Sequence, residues 1–436
     1  MSLGVFRKPL MAVAVGAALA TAGGNAAAAG FQLMEQNASG LGNAYSGAAA
    51  AAEDASTIFF NPAGMTRIGG RQVVGSVEFI NTSAKFSNAG STSPPTGTTL
   101  SPLGNGGNAG GWGVVPNAYL SWEVMPSTLW LGIGINAPFG LKTEYDFPWV
   151  GQFHAIKSEV KTVNINPSIG WKVNQWLSLG AGINAQSLDA ELSNSVFVSP
   201  LLPLTSQPIA TLKANDWAWG WNVGAMFTIT PDTRIGVTYR SKLDYKLEGD
   251  VSFNTLPTQN GPIKADIKLP DTFSIALSQQ IGPRWQILAD YTWTGWDSIQ
   301  DLTIFRSNGV GLTSTPLRFK NSWRIGVGVN YQLTPEWKLR GGLAYDTTPV
   351  QDEFRTPRLP DQDRTWLAIG AQWAMSKTVA FDFGLAYLFV RDASSNLPNA
   401  TPQPPGFVPP VSFRGALVGS YSADVWILGA QVRFNF

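Results

Sequence analysis

The sequence predicts an all-β membrane protein: a 14-stranded antiparallel transmembrane β-barrel plugged by a small, partly helical N-terminal hatch. Three observations predict it. Segment after segment alternates with a period of two, the connections fall into two length classes, and charged residues make up only 14% of the chain, against about 25% in a globular domain.

At the N-terminus, Arg7 and Lys8 precede an apolar run over residues 10–22 and then small residues at 26–29, the pattern of a secretory signal peptide. The run is roughly 13 residues, too short to cross a bilayer of ~30 Å as a helix. Cleavage is expected after Ala28, within one residue, leaving Ala29-Gly30-Phe31-Gln32-Leu33 as the mature start. The expected organisation is therefore a signal peptide over 1–28, a hatch over 29–68 and a barrel over 69–436. Loss of Arg7 and Lys8 takes the formal net charge from +1 to minus 1, so no basic surface argues for a nucleic-acid partner. The chain contains no Cys and one His, His154. This excludes disulfides and Cys-based metal sites, and neither a cofactor nor a metal is expected.

Downstream, Trp323, Ile325, Val327, Val329, Tyr331 and Leu333 form one apolar face, with Arg324, Gly326, Gly328, Asn330 and Gln332 on the other. The segments 337–346, 380–389 and 426–436 alternate in the same way, as strands with two unlike faces do. A soluble β-sandwich would alternate too. These strands, however, run to ten or more residues and match the ~9–11 that a tilted membrane strand needs.

Six short connections, at 125–128, 173–175, 230–233, 282–284, 334–336 and 375–377, alternate with seven long loops near 87–110, 145–156, 194–213, 254–262, 306–316, 347–362 and 391–418. They join 14 strands, with both termini on the tight-turn side, as in outer-membrane barrels with short periplasmic turns and long extracellular loops. Trp130, Trp176, Trp285 and Trp337 flank the turns, where strands enter the headgroup layer.

A barrel of ~8 strands is filled by its own side chains and one of 16–18 leaves an aqueous channel, so 14 strands need a plug. Residues 29–68 are Gly- and Ala-rich, lack strand character and join the periplasmic end of the first strand. Residues 46–56 are expected to form a short helix and Asn61-Pro62 to stop it, because the position before Pro disfavours helix. Read alone, Asn61-Pro62-Ala63 is only a turn.

The mature start AGFQL, the segments SGLGNAYSG and AEDASTIFFNPAGM, and downstream LPD at 269–271 and LPDQDRTWLAIGAQW at 359–373 resemble the FadL type of outer-membrane long-chain fatty acid and hydrocarbon transporters. The likeness covers essentially the whole mature chain. It implies a monomer whose hatch ends in Asn61, Pro62 and Ala63, inside a barrel that passes an apolar ligand from an external groove to a deeper pocket. The ligand then leaves sideways into outer-membrane lipid through a gap in the third strand. On this sequence the third strand, 128–137, is interrupted at Asn136, Ala137, Pro138, Phe139 and Gly140, where Pro138 removes a ladder donor; the gap is assigned there. Phe31 is assigned to the deep pocket as an apolar finger. Val196, Phe197, Val198, Leu201, Leu202 and Leu204, too apolar for a solvated loop, are assigned to the external groove. Lys320 is assigned to the pocket as partner of a carboxylate headgroup. Where the family tends to offer an arginine from the fifth strand this chain has Asp189, which leaves room for an uncharged alkane or aromatic ligand. The rival readings are a general porin and an outer-membrane hydrolase. The second would have to use His154 in GQFHAIK, with no G-x-S-x-G present, so no enzymatic activity is expected.

Overall fold

The computed structural model describes residues 30–98, 103–405, 407 and 409–436; the expected signal peptide lies outside them. Fourteen antiparallel strands form a closed barrel. They are β1 (Arg71–Asn88), β2 (Trp112–Met125), β3 (Leu129–Asn136, resuming as Gly140–Glu144), β4 (Lys157–Lys172), β5 (Leu177–Ser195), β6 (Ile209–Thr230), β7 (Thr233–Arg240 and Leu243–Phe253) and β8 (Gly261–Leu269 and Thr272–Ile281). β9 (Trp285–Thr294 and Asp301–Arg306), β10 (Gly311–Pro316 and Ser322–Gln332), β11 (Trp337–Asp346), β12 (Arg364–Ala374), β13 (Val379–Val390) and β14 (Leu417–Asn435) complete the wall. β14 closes onto β1 from Gln72↔Asn435 to Asn88↔Gly419, which joins the two terminal strands and removes the free edges an open sheet would have there.

The alternation resolves into an apolar outside and a polar inside. Along β10, Trp323, Ile325 and Val327 are exposed while Arg324 is buried in the lumen, the reverse of a soluble sandwich and the arrangement lipid requires. Trp176, Trp285 and Trp337 face outward beside the tight turns. Trp130 does not. It lies on the inward phase of β3, is buried, and donates its indole N–H to the Ile68 carbonyl at 2.6 Å, fixing the end of the hatch.

The hatch fills the lumen with α1 (Ala38–Leu41), α2 (Ala48–Ala51), α3 (Thr57–Phe60) and a 3-10 turn, Pro62–Arg67. The single helix expected over 46–56 is absent: Gly47 and Ala52 adopt φ of 70° and 47°, which confines α2 to one turn. Asn61 ends α3 in extended conformation and Pro62 opens the 3-10 turn, where its missing N–H costs nothing.

The glycine content of the strands has its cause here. A side chain at Gly180 would collide with the Ala63 nitrogen, at Gly224 with the Asn61 side chain, and at Gly342 with the backbone of Asn43. Inward glycines thus let the hatch backbone lie directly on the wall. Asn61 donates to the carbonyls of Ala49 at 2.8 Å and Ala225 at 3.1 Å, and Glu53 meets Arg340 at 2.7 Å and Lys338 at 3.3 Å.

Candidate functional site

Above the hatch lies a cavity with an almost wholly apolar lining, the character expected of a site for a hydrophobic ligand. The inward residues of β4 to β9 build most of its wall: Val160, Leu188, Leu212, Leu247, Ile263 and Ile304. Only Ser158, Thr356 and Arg358 among the lining residues are polar. Phe31 contributes to the lining at the hatch end. Its ring packs edge-on against Trp296, with centroids 4.9 Å apart, and lies 5.9 Å from Phe139. Gly30 donates its N–H to Asp361 at 2.8 Å. At this position, with φ of 64°, a side chain would run into the Trp296 ring.

Phe31 also touches the interruption in the wall. β2 and β3 pair only as far as Ala118↔Ile135; beyond the break, Gly140–Glu144 pairs with β4 alone. A second, smaller cavity opens there between Val114, Val115 and Pro116 of β2 and Asn136, Ala137, Phe139 and Gly140. Pro116 faces it without an N–H to pair. From inside, the hatch start is laid along the break: Gly140 N–H donates to the Phe31 carbonyl at 2.9 Å, Leu33 N–H to the Pro138 carbonyl at 2.8 Å, and the Gln36 amide to the Ala137 carbonyl at 3.0 Å. Val160 lines both cavities.

The loops form the roof. Arg358, in the loop between β11 and β12, donates to the Lys157 carbonyl at 3.2 Å, Ser158 Oγ at 3.0 Å and Asn194 Oδ1 at 2.9 Å. Burial, with the charge of Arg414 as a lesser cause, lowers its pKa to about 9. Tyr145 donates to the Pro357 carbonyl at 2.8 Å and stacks on Trp149 at 3.9 Å. His154 is buried against the Gly415 carbonyl at 2.9 Å. Burial first, then Arg414, pushes its pKa down to about 3, so the ring is neutral and ties two loops together.

The loop at 196–208 divides. Val196 packs on the cavity wall, Leu204 on the Tyr145–Trp149 cluster, and Phe197 lies 6.4 Å from Phe153, whereas Val198, Leu201 and Leu202 are exposed, Leu201 at 92%.

The model of one protein family, described as outer membrane protein transport protein (OMPP1/FadL/TodX), matches residues 19–436. The chain belongs to this family. Among its relatives, a long-chain fatty acid transport protein of Escherichia coli O6:H1 is 29% identical over 422 residues, covering 88% of this chain and 91% of that protein. Outer membrane protein P1 of Haemophilus influenzae is 30% identical, covering 88% and 90%. The crystal structure of a Pseudomonas aeruginosa FadL homologue superposes with a TM-score of 0.83 at 24% identity, covering 94% of this chain and all of that one. The toluene transporter TbuX of Ralstonia pickettii gives 0.65 at 21% identity, covering 92% and 98%; these two likenesses speak for the fold alone.

The protein is thus a FadL/TodX-family barrel of the outer membrane, and two residues assigned by resemblance lie away from the cavity. Lys320 is exposed, and its neighbour Phe319 is the one that lines the cavity. The chain between the two arms of β10 turns the phase so that Phe319 points in and Lys320 out. Asp189 is exposed too, on the outer face of β5, while Leu188 and Ala190 on either side line the cavity. Sequence reasoning missed Arg358. Its neighbours in the sequence, Pro357, Leu359 and Pro360, mark an ordered apolar loop, the one signal that could have drawn attention to it.

Proposed function

We propose that this family member carries long-chain fatty acids or related hydrophobic compounds passively across the outer membrane, acting as a monomer. The observation that carries this reading is the apolar cavity whose floor, Phe31, is bonded to the break in β3. A ligand captured at the exposed apolar residues Val198, Leu201 and Leu202 passes to the cavity, shifts the N-terminal residues of the hatch and leaves through the gap at Asn136–Gly140 into the bilayer.

The energetics favour a sideways exit. Burial of a methylene is worth about 0.8 kcal/mol, so a 16-carbon chain gains on the order of 12 kcal/mol at most. Release into water forfeits that gain, whereas release into lipid keeps nearly all of it. No energy source is needed. The hatch moves only as far as the ligand binds its two positions differently.

The test is uptake of radiolabelled oleate by cells stripped of their own long-chain carrier. Expression of this protein is expected to restore uptake. Absence of uptake, with the protein folded in the outer membrane, contradicts the reading. A second reading, uptake of uncharged alkanes or aromatics, draws on the scarcity of polar lining, and labelled hexadecane in the same cells separates the two.

A further inference from the structure

We infer that Arg358 is the headgroup site of the cavity and that it orients the ligand, holding a carboxylate at the extracellular end while the acyl tail points down to Phe31 and the gap. This rests on the transport function proposed above and adds a ligand class and a direction to it.

Among the described residues the cavity has one cation, on a lining whose other polar members are only Ser158 and Thr356. Its guanidinium donates to a backbone carbonyl, a hydroxyl and an amide oxygen, all neutral, and among the described residues no carboxylate pairs with it. A buried charge without a counter-charge is costly, and a ligand carboxylate supplies the missing partner. Three of its N–H groups are engaged out of the five a guanidinium offers. The Nε proton and one on Nη2 remain, enough for the bidentate geometry that carboxylates accept best. The group is held in place before any ligand arrives, because the loop backbone is fixed by Tyr145 to Pro357 and by Thr143 Oγ1 to the Arg358 carbonyl at 3.2 Å.

Position gives the direction. The partners of Arg358 stand at the extracellular ends of β4 and β5. Phe31 stands at the opposite, hatch end, and Val160, which lines both cavities, leads from this one to the gap. A fatty acid bound at Arg358 therefore presents its methyl end to the exit, and the carboxylate is the last part to be released.

Two measurements test this on the full-length purified protein. In the first, oleate and oleyl alcohol are titrated against wild type, Arg358→Gln and Arg358→Lys. Oleate affinity is expected to fall at least tenfold in Arg358→Gln and to recover in Arg358→Lys, with oleyl alcohol unchanged throughout. Equal loss of both ligands in Arg358→Gln, or no loss of oleate, overturns the inference. If wild type binds neither, the transport reading itself fails.

The second uses wild type and Trp296→Phe and needs no change at Arg358. Stearate carrying a nitroxide at carbon 16 is expected to quench the Trp296 share of the fluorescence more than stearate labelled at carbon 5. The opposite order overturns the assigned direction.

Discussion

The backbone N–H of Gly140 donates to the carbonyl of Phe31 at 2.9 Å, so the residue that floors the cavity is bonded to the residue that resumes the broken strand. Together with the bond from Leu33 to Pro138, this link is worth about 1–3 kcal/mol. A few newly buried methylenes of ligand match it, so under the proposed function the N-terminal residues are the part of the hatch that a ligand is expected to move.

Phe31→Ala is expected to weaken oleate binding about tenfold, because the cavity loses its aromatic floor and the contact to Trp296. It should also speed amide exchange at Gly140. Titration together with hydrogen exchange checks both, and unchanged exchange at Gly140 would show that the floor and the break are not coupled.

The rest of the hatch is predicted to stay put. Gly342→Leu inserts a side chain where the Asn43 backbone lies, and the hatch cannot yield without leaving the wall. In planar bilayers the native protein is expected to show no steady current and the variant to conduct. A quiet variant with a native barrel would mean that the hatch is more pliable than its packing implies.

Glu53 is shared by Arg340 and Lys338, and Arg340 also meets Asp382 at 2.8 Å. Glu53→Gln strands part of that charge. The cost is expected near the lower end of roughly 3–5 kcal/mol, because Glu53 and Lys338 keep 13% and 22% of their side-chain surface. Proteolysis of residues 42–56 in urea should begin earlier in the variant, with the barrel resisting as before.

Much of the fold was legible because membrane strands leave strong marks. Trp323 to Leu333 alternates without a break, and TPE at 334–336 or GPR at 282–284 can only be tight turns. The hatch was legible as a segment but not in its path. Gly47 and Ala52 take left-handed conformations imposed by packing on the wall, so an Ala-rich run that reads as one helix breaks into single turns. The break at Asn136–Gly140 announces itself through Pro138, whereas Lys320 and Asp189 show the limit of phase counting. Each stands next to a lining residue, and where a strand is kinked or an alignment slips by one, inside and outside exchange. Arg358 belongs to no periodic pattern; its role follows from which loop folds over the cavity.

The loop roof carries a pH dependence. The folded pKa of His154, about 3, lies below the usual 6.5, so the unfolded loop binds a proton that the folded loop does not. Its contribution is complete above pH 6.5 and is lost as pH falls toward 3, on the order of 2 kcal/mol by pH 5. Amide exchange over residues 149–155 and at Gly415 should accelerate on acidification, and His154→Gln, which keeps a donor for the Gly415 carbonyl, should flatten the response.

The central claim is that the ligand leaves through the wall at the break in β3. The most direct measurement replaces residues 136–140 with an alternating strand sequence that continues the β2–β3 ladder, then compares oleate binding by the purified variant with oleate uptake by cells expressing it. Binding retained within a few-fold and uptake abolished is the predicted result. Uptake at the wild-type rate through a continuous wall would contradict it.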